Sequence, residues 1–153
     1  MLQKSVTTTL NKDNIITRIA LVVSLYNRAL TESLEKKCIE TLVESGVKKD
    51  NIGVFYAPGA FEIPLACKRL AKQKKYAAII ALGVIIKGDT YHFELIAREC
   101  ARGVMEVMLR HEVPIVFEVL AGEKEDMEKR ARDDAYNKGI EAAEAAVQIL
   151  KSK

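Results

Sequence analysis

The sequence predicts an α/β fold in which a parallel sheet is covered by helices on both faces. Strand-like and helix-like segments alternate from about residue 19 to residue 150. Two of the strand-like segments, Ile19-Ala20-Leu21-Val22-Val23 and Ala77-Ala78-Ile79-Ile80-Ala81-Leu82, are unbroken apolar runs, the pattern of strands buried on both faces. No linker, repeat or low-complexity tract interrupts the alternation, and 153 residues suit one domain with a core of its own.

Ahead of the first core strand, Ser5-Val6-Thr7-Thr8-Thr9-Leu10 is β-prone, and Asn11-Lys12-Asp13-Asn14 after it reads as a turn. Residues 5–10 are either a frayed tail or an edge strand added to a neighbouring subunit. The first core strand is residues 19–23. A helix follows, with Thr31 as its N-cap and Gly46 at its close. Leu34, Cys38 and Leu42 recur on one face of that helix, while Glu32 and Glu35 stand in the first turn, where the helix dipole favours acids. Residues 52–56 form the second strand. Pro64 lies at the start of the next helix, where its missing N–H costs least. The third strand is residues 77–82, and the helix after it begins at Tyr91 or His92 and turns Ile96, Cys100, Val104 and Val107 inward. Residues 114–120 give the fourth strand. The remainder, residues 126–150, is helical with a break near Tyr136-Asn137 and an apolar stripe of Ile140, Ala143, Val147 and Leu150. Four parallel strands with right-handed crossovers account for this order.

Composition narrows the function classes. The chain is 49% hydrophobic and 29% charged, as ordinary globular proteins are, and its net charge is +3. Basic residues are interleaved with acids, as in Glu35-Lys36-Lys37 and Glu128-Lys129-Arg130, so no nucleic-acid stripe forms. No apolar stretch is long enough to span a bilayer, and no hydrophobic signal region opens the chain. Cys38, Cys67 and Cys100 lack CxxC spacing and fall in apolar helical patterns, which argues against disulfides and zinc. A reducing cytoplasm is the expected compartment.

In a parallel sheet of this kind, ligands bind in the crevice beyond the carboxyl ends of the strands. Three unusual segments open onto that edge: Tyr26-Asn27 after the first strand, Ala57-Pro58-Gly59-Ala60-Phe61-Glu62 after the second, and Gly88-Asp89-Thr90-Tyr91-His92 after the third. His92, at a helix start beyond a strand end, can take and give protons near neutral pH. His111, at a helix end, is explained by the helix dipole. Gly88-Asp89-Thr90 could hold an anion through backbone N–H groups, or Asp89 or Thr90 could simply cap the helix. Glu62 could accept hydrogen bonds from polyol hydroxyls or be a helix-start acid. Tyr26 could stack on a flat ring or pack as a core-edge tyrosine. Arg130 and Lys138 lie in a charged helix whose default is solvation.

Together these segments resemble the lumazine synthase family. Ala57-Pro58-Gly59-Ala60-Phe61-Glu62-Ile63-Pro64 is similar to the family's Pro-Gly-Ala-Phe-Glu-Ile-Pro signature. Ala81-Leu82-Gly83-Val84-Ile85-Ile86-Lys87-Gly88-Asp89-Thr90-Tyr91-His92-Phe93 is similar to its Leu-Gly-x-x-Ile-Arg/Lys-Gly-x-Thr-x-His stretch. Val113-Pro114-Ile115-Val116-Phe117 and Asn137-Lys138-Gly139 match as well, and the likeness runs in register from about residue 19 to residue 150.

The resemblance implies a flavodoxin-like, three-layer αβα fold with a four-stranded parallel sheet. It implies one domain over residues 1–153, in which residues 1–14 form an N-terminal arm whose strand joins a neighbouring subunit. Subunits of the family form pentamers, with each active site shared by adjacent chains. The reaction joins 5-amino-6-(ribitylamino)pyrimidinedione to 3,4-dihydroxy-2-butanone 4-phosphate through an imine, phosphate elimination and ring closure. It uses no metal and no organic cofactor. Riboflavin synthase is the macromolecular partner the resemblance suggests, and a non-catalytic lumazine-binding or shell-forming homologue is the alternative.

Position by position, the resemblance places Tyr26 under the heterocycle, with Asn27 at its border. Ala60, Phe61 and Glu62 hold the ribityl chain, and Ile85 and Ile86 touch the pyrimidine. Gly88, Asp89 and Thr90 form the phosphate loop, on which Arg130 closes, and His92 transfers protons. Phe117 and Lys138 line the heterocycle site from the neighbouring chain. Glu118 departs from the family's usual glycine, Ala121-Gly122 replaces a threonine pair, and residues 132–136 differ from the usual glycine- and lysine-containing stretch.

Overall fold

The computed structural model describes residues 17–152; the expected arm and its strand at residues 5–10 lie outside them. Strands β1 (Ile19–Ser24), β2 (Ile52–Ala57), β3 (Ala78–Ile86) and β4 (Ile115–Gly122) form one parallel sheet in the order β2-β1-β3-β4. Helices α1 (Arg28–Glu44), α2 (Ile63–Lys72), α3 (His92–His111), α4 (Lys124–Arg130) and α5 (Lys138–Lys151) complete the fold. This is the flavodoxin-like strand order. Its switch point lies between β1 and β3, because the crossovers leaving those two strands pass to opposite faces.

The central strands explain the unbroken apolar runs. Ile19, Leu21 and Val23 of β1, with Ile80 and Leu82 of β3, pack under Leu34, Cys38 and Leu42 of α1 and Ala143 and Val147 of α5. The alternate residues Ala20, Val22, Ile79 and Ala81 pack under Ile63, Cys67 and Leu70 of α2 and Cys100 and Val104 of α3. Each of the larger aliphatic side chains so buried contributes about 1.5–3 kcal/mol relative to exposure. On the edge strand β2, Phe55 and Tyr56 are exposed, so its sequence could not be an unbroken core run. All three cysteines are free and buried; burial pushes the Cys67 and Cys100 thiols up to about 12, so they stay protonated and inert.

Five expectations need correction. Helix α1 begins three residues before Thr31, because the Asn27 carbonyl already accepts the N–H groups of Leu30 and Thr31 at 3.0 and 3.1 Å. Thr31 is fully buried inside the helix, and its hydroxyl points back to the Arg28 carbonyl at 3.4 Å. Glu32 and Glu35 consequently fall beyond the first turn, which holds no acid. The other end agrees with expectation. Gly46, at φ 103°, closes a Schellman motif in which its N–H meets the Val43 carbonyl and the Val47 N–H meets that of Leu42.

Strand β3 runs on to Ile86, four residues beyond the apolar run, paired with β4 as far as Gly122. Gly83 does not stop it. A Cβ there would stand 3.1 Å from the Ser24 hydroxyl and 3.2 Å from Ile63 and Val119, so the glycine lets the sheet continue beneath its cover.

The C-terminal helical region is two helices separated by residues 131–137, a wider break than the sequence suggests. Asn137, 1% exposed, builds the corner. Its amide donates to the Arg132 carbonyl at 2.9 Å and the Ser33 hydroxyl at 3.1 Å, while its Oδ1 caps α5 by accepting the Gly139 N–H at 2.8 Å. The buried stripe of α5 is Gly139, Ala142, Ala143, Ala146 and Val147; Ile140 and Leu150 are only half-buried. Small residues face inward because α5 approaches the backbone of α1 too closely for larger ones.

Candidate active site

The three segments singled out above do converge at the carboxyl edge of the sheet, around the switch point. The ladder between β1 and β2 continues past the strands: the Leu25 N–H meets the Ala57 carbonyl at 2.8 Å and the Tyr26 N–H meets that of Pro58 at 3.1 Å. This fixes the Tyr26 turn against the Pro-Gly turn. Tyr26 is 74% exposed, so the tyrosine is presented to solvent and is not a core-edge residue.

Asn27 has a structural task that the sequence did not disclose. It adopts the left-handed conformation at φ 59° and ψ 44°, which asparagine tolerates better than most residues. There its side-chain amide donates to the Val84 carbonyl at 2.8 Å, tying the end of β1 to β3 across the switch point. Beside it, the Arg28 guanidinium pairs with Glu35 at 2.7 Å and lies 5.0 Å over the Tyr56 ring, while the Tyr56 hydroxyl donates to Glu35 at 2.8 Å. The start of α1 is thus clamped to the end of β2 as well.

After β2, Ala60 is buried, and Phe61 and Glu62 are exposed in a short 3-10 turn. One Glu62 oxygen, Oε2, accepts the Gly59 N–H at 3.1 Å. Glu62 is therefore a helix-start acid, and its other oxygen has no partner among the described residues. After β3, Ile85 and Ile86 are half-buried in the last positions of the strand. The Lys87 N–H continues the ladder to the Gly122 carbonyl at 2.8 Å, and Lys87 pairs with Glu123 at 3.4 Å. Gly88, Asp89, Thr90 and His92 are exposed, and nothing stands within 4 Å of where a Gly88 Cβ would be. The N-cap of α3 is Tyr91, and no side chain caps this helix. Neither Asp89 nor Thr90 is consumed in capping, which removes the plainer explanation of that loop.

Among the described residues, no hydrogen bond or ion pair ties the remaining site residues to this cluster. Arg130 ends α4 exposed, its guanidinium returning to the Asp126 carbonyl at 3.3 Å and carboxylate at 3.9 Å. Phe117, 40% exposed, shares a face of β4 with Ile115 and Val119, whose side chains belong to the core under α2 and α3, and it pairs with Ala81 in the middle of the sheet. Lys138 starts α5, which covers the opposite face, and its ammonium meets both oxygens of Glu141 at 2.9 and 2.8 Å.

Two features were not legible in the sequence: the burial of Ser24 and the environment of Glu118. Ser24, 1% exposed at the end of β1, has a hydroxyl without a partner beneath the crevice; its only signal was a polar residue closing an apolar run. Glu118 is half-buried on the face of β4 covered by α5, and loss of water pushes its carboxyl up to about 7. Among the described residues, no group of three or more His, Cys, Asp or Glu side chains is placed to hold a metal ion, and no helix is long and apolar enough to cross a membrane.

The family model of 6,7-dimethyl-8-ribityllumazine synthase matches residues 16–153. Proteins named 6,7-dimethyl-8-ribityllumazine synthase from Coxiella burnetii strains CbuG_Q212, RSA 493 / Nine Mile phase I and Dugway 5J108-111 are each 43% identical over 135 residues, covering 88% of this chain and 89% of the relative. Near-complete coverage shows that the chain belongs to the 6,7-dimethyl-8-ribityllumazine synthase family.

Proposed function

We propose that this chain is a lumazine synthase of riboflavin biosynthesis, condensing 5-amino-6-(ribitylamino)pyrimidinedione with 3,4-dihydroxy-2-butanone 4-phosphate and releasing phosphate. One observation carries the reading beyond family membership. Three strand ends present an aromatic, a carboxylate, an uncapped glycine-threonine loop and a histidine at a single switch point, held by the Asn27–Val84 hydrogen bond. Tyr26 stacks on the heterocycle, bordered by Asn27, and Ile85 and Ile86 flank the pyrimidine. Ala60, Phe61 and Glu62 receive the ribityl chain, with the unpartnered Glu62 oxygen accepting hydroxyl protons. Gly88, Asp89 and Thr90 cradle the phosphate, Arg130 pairs with it, and His92 moves protons as amine, imine and leaving group exchange them.

Orientation supplies much of the rate. Holding two reactants in line is worth about 7–11 kcal/mol of barrier, and a positioned acid–base group adds roughly a hundredfold. Mixing the two substrates with purified protein tests the function directly: lumazine absorbance should appear together with free phosphate. Absence of both would overturn the reading.

Arg130→Ala is expected to weaken the phosphate substrate and leave the pyrimidine nearly unaffected. A guanidinium pairs bidentately with phosphate, and its loss costs about 1.5–3 kcal/mol. The hydrogen bond and the ion pair of Arg130 both lie within its own helix, so the substitution breaks no tertiary hydrogen bond or ion pair among the described residues. Separate Michaelis constants for the two substrates check this; equal losses would make Arg130 structural.

Phe117 pairs with Ala81 in the middle of the sheet and Lys138 starts a helix on the face opposite α3, a placement that supports a site completed by an adjacent subunit. The working unit is proposed to be a cytoplasmic homo-oligomer built on pentamers, with residues 5–10 adding a strand to a neighbour and riboflavin synthase as the consumer of the product. Light scattering should find the assembly, and a stable, active monomer would refute it.

A further inference from the structure

Along β4, Val116, Glu118 and Leu120 alternate onto the face covered by α1 and α5. Val116 and Leu120 join the apolar core on that face, and Glu118 stands between them. An acid in that row loses water on one side and receives no hydrogen bond from another described residue. The charged neighbours that act on it are Lys138 and Glu141, both on the first turn of α5. From α1, the group facing it is the buried Cys38 thiol, whose ionisation Glu118 opposes. Its pairing partner on β3 is Leu82, so that strand brings no charge.

We propose that Glu118 is a positioning residue for Lys138, drawing the lysine ammonium away from Glu141 and toward β4 when its carboxylate is ionised. The proposal rests on the reading that Lys138 lines the heterocycle site of an adjacent subunit. With Glu118 neutral, Lys138 belongs to Glu141, which holds it through both oxygens at 2.9 and 2.8 Å. With Glu118 ionised, two carboxylates compete for one ammonium and repel each other, and the ammonium settles between them on the β4 side. Burial holds the Glu118 carboxyl at about 7, with Glu141 raising it further and Lys138 lowering it, so the exchange falls at neutral pH. Acidification therefore returns Lys138 to Glu141, and alkalisation presents it to the substrate.

E118Q keeps the shape and removes the charge. In the assembled wild type, the Michaelis constant for the pyrimidine should fall about two- to fivefold as pH rises through 7, the scale of one partly screened charge pair, with kcat following its own course. In E118Q it should stay flat at the low-pH value. A readout independent of turnover is the carbon-13 resonance of the Lys138 Cε, assigned by its disappearance in K138R. It should shift with a midpoint near pH 7 in the wild type and not in E118Q. A flat Lys138 resonance in the wild type, or a step that persists in E118Q, would overturn the proposal, as would a pyrimidine constant that ignores the substitution. If the resonance steps as expected and neither protein makes lumazine, the proposed function fails while the coupling of Glu118 to Lys138 stands.

Discussion

Gly139→Ala is expected to destabilise the chain by ~3 kcal/mol or more, because it would place a carbon inside the backbone of the neighbouring helix. A Cβ on Gly139 would lie 2.2 Å from the Leu34 carbonyl oxygen, 3.0 Å from its carbon and 2.9 Å from the Asn137 Oδ1 that caps α5. Unstrained carbon–oxygen contacts settle near 3.3 Å or beyond, roughly, so α5 must move by about an ångström or α1 must yield. Neither is free to do so. Leu34 is fully buried in the core under α1, and Asn137 is tied to Arg132 and Ser33. Moving α5 would also expose Ala142, Ala143, Ala146 and Val147 and break the cap. Gly122→Ala is the control. Its new carbon would meet only the terminal methyl of Met127 at 3.1 Å, the far end of a flexible side chain, which can swing aside. Urea denaturation should show a large fall in midpoint for Gly139→Ala and a small one for Gly122→Ala. Similar midpoints would mean that α1 and α5 pack loosely enough to admit the added carbon.

The same contact shows what the sequence could and could not disclose. The sheet was legible because β1 and β3 are covered on both faces, and such strands write their burial as continuous runs of Ile, Val, Leu and Ala. The carboxyl-edge crevice follows from topology, so Tyr26, Glu62, Thr90 and His92 fall at one edge from the sequence alone. Tight packing between helices is harder to read. The seam between α1 and α5 is made of glycine and alanines, which carry little hydrophobic signal, so the larger Ile140 and Leu150 looked more inward than they are. Thr31 looked like a cap because threonine commonly is one; the real start depends on a left-handed Asn27 whose amide reaches a carbonyl on β3. Resemblance marked Asn137-Lys138-Gly139 as a block, but the corner that Asn137 builds is a tertiary fact. Glu118 read as a local departure, and only its place in the row between Val116 and Leu120 gives it an environment that raises its carboxyl toward neutrality.

His92→Ala is expected to slow turnover by roughly ten- to a hundredfold without abolishing it, the range of a single positioned acid–base group. The side chain stands on the first residue of α3, exposed at the switch-point edge, and makes no hydrogen bond to another described residue. Its removal leaves no buried group unpaired, and alanine is the better helix former, so the fold should tolerate the change. What the substitution takes away is an imidazole able to accept a proton from the attacking amine and return it to a departing oxygen. What it leaves is the larger contribution, the proposed juxtaposition of amine and ketone by the Tyr26, Glu62 and Gly88-Asp89-Thr90 segments. The amine is already a nucleophile, so no enzyme-bound covalent intermediate depends on His92. Substrate affinities should therefore change much less than kcat, since an interaction made while protons move is felt in the transition state and not in the ground state. Steady-state rates of lumazine formation from pH 6 to 9, on mutant protein shown by light scattering to keep its assembly, give the measurement. An assembled mutant that turns over at the wild-type rate across that range would remove His92 from the mechanism and leave proton transfer to solvent or to the substrate phosphate itself.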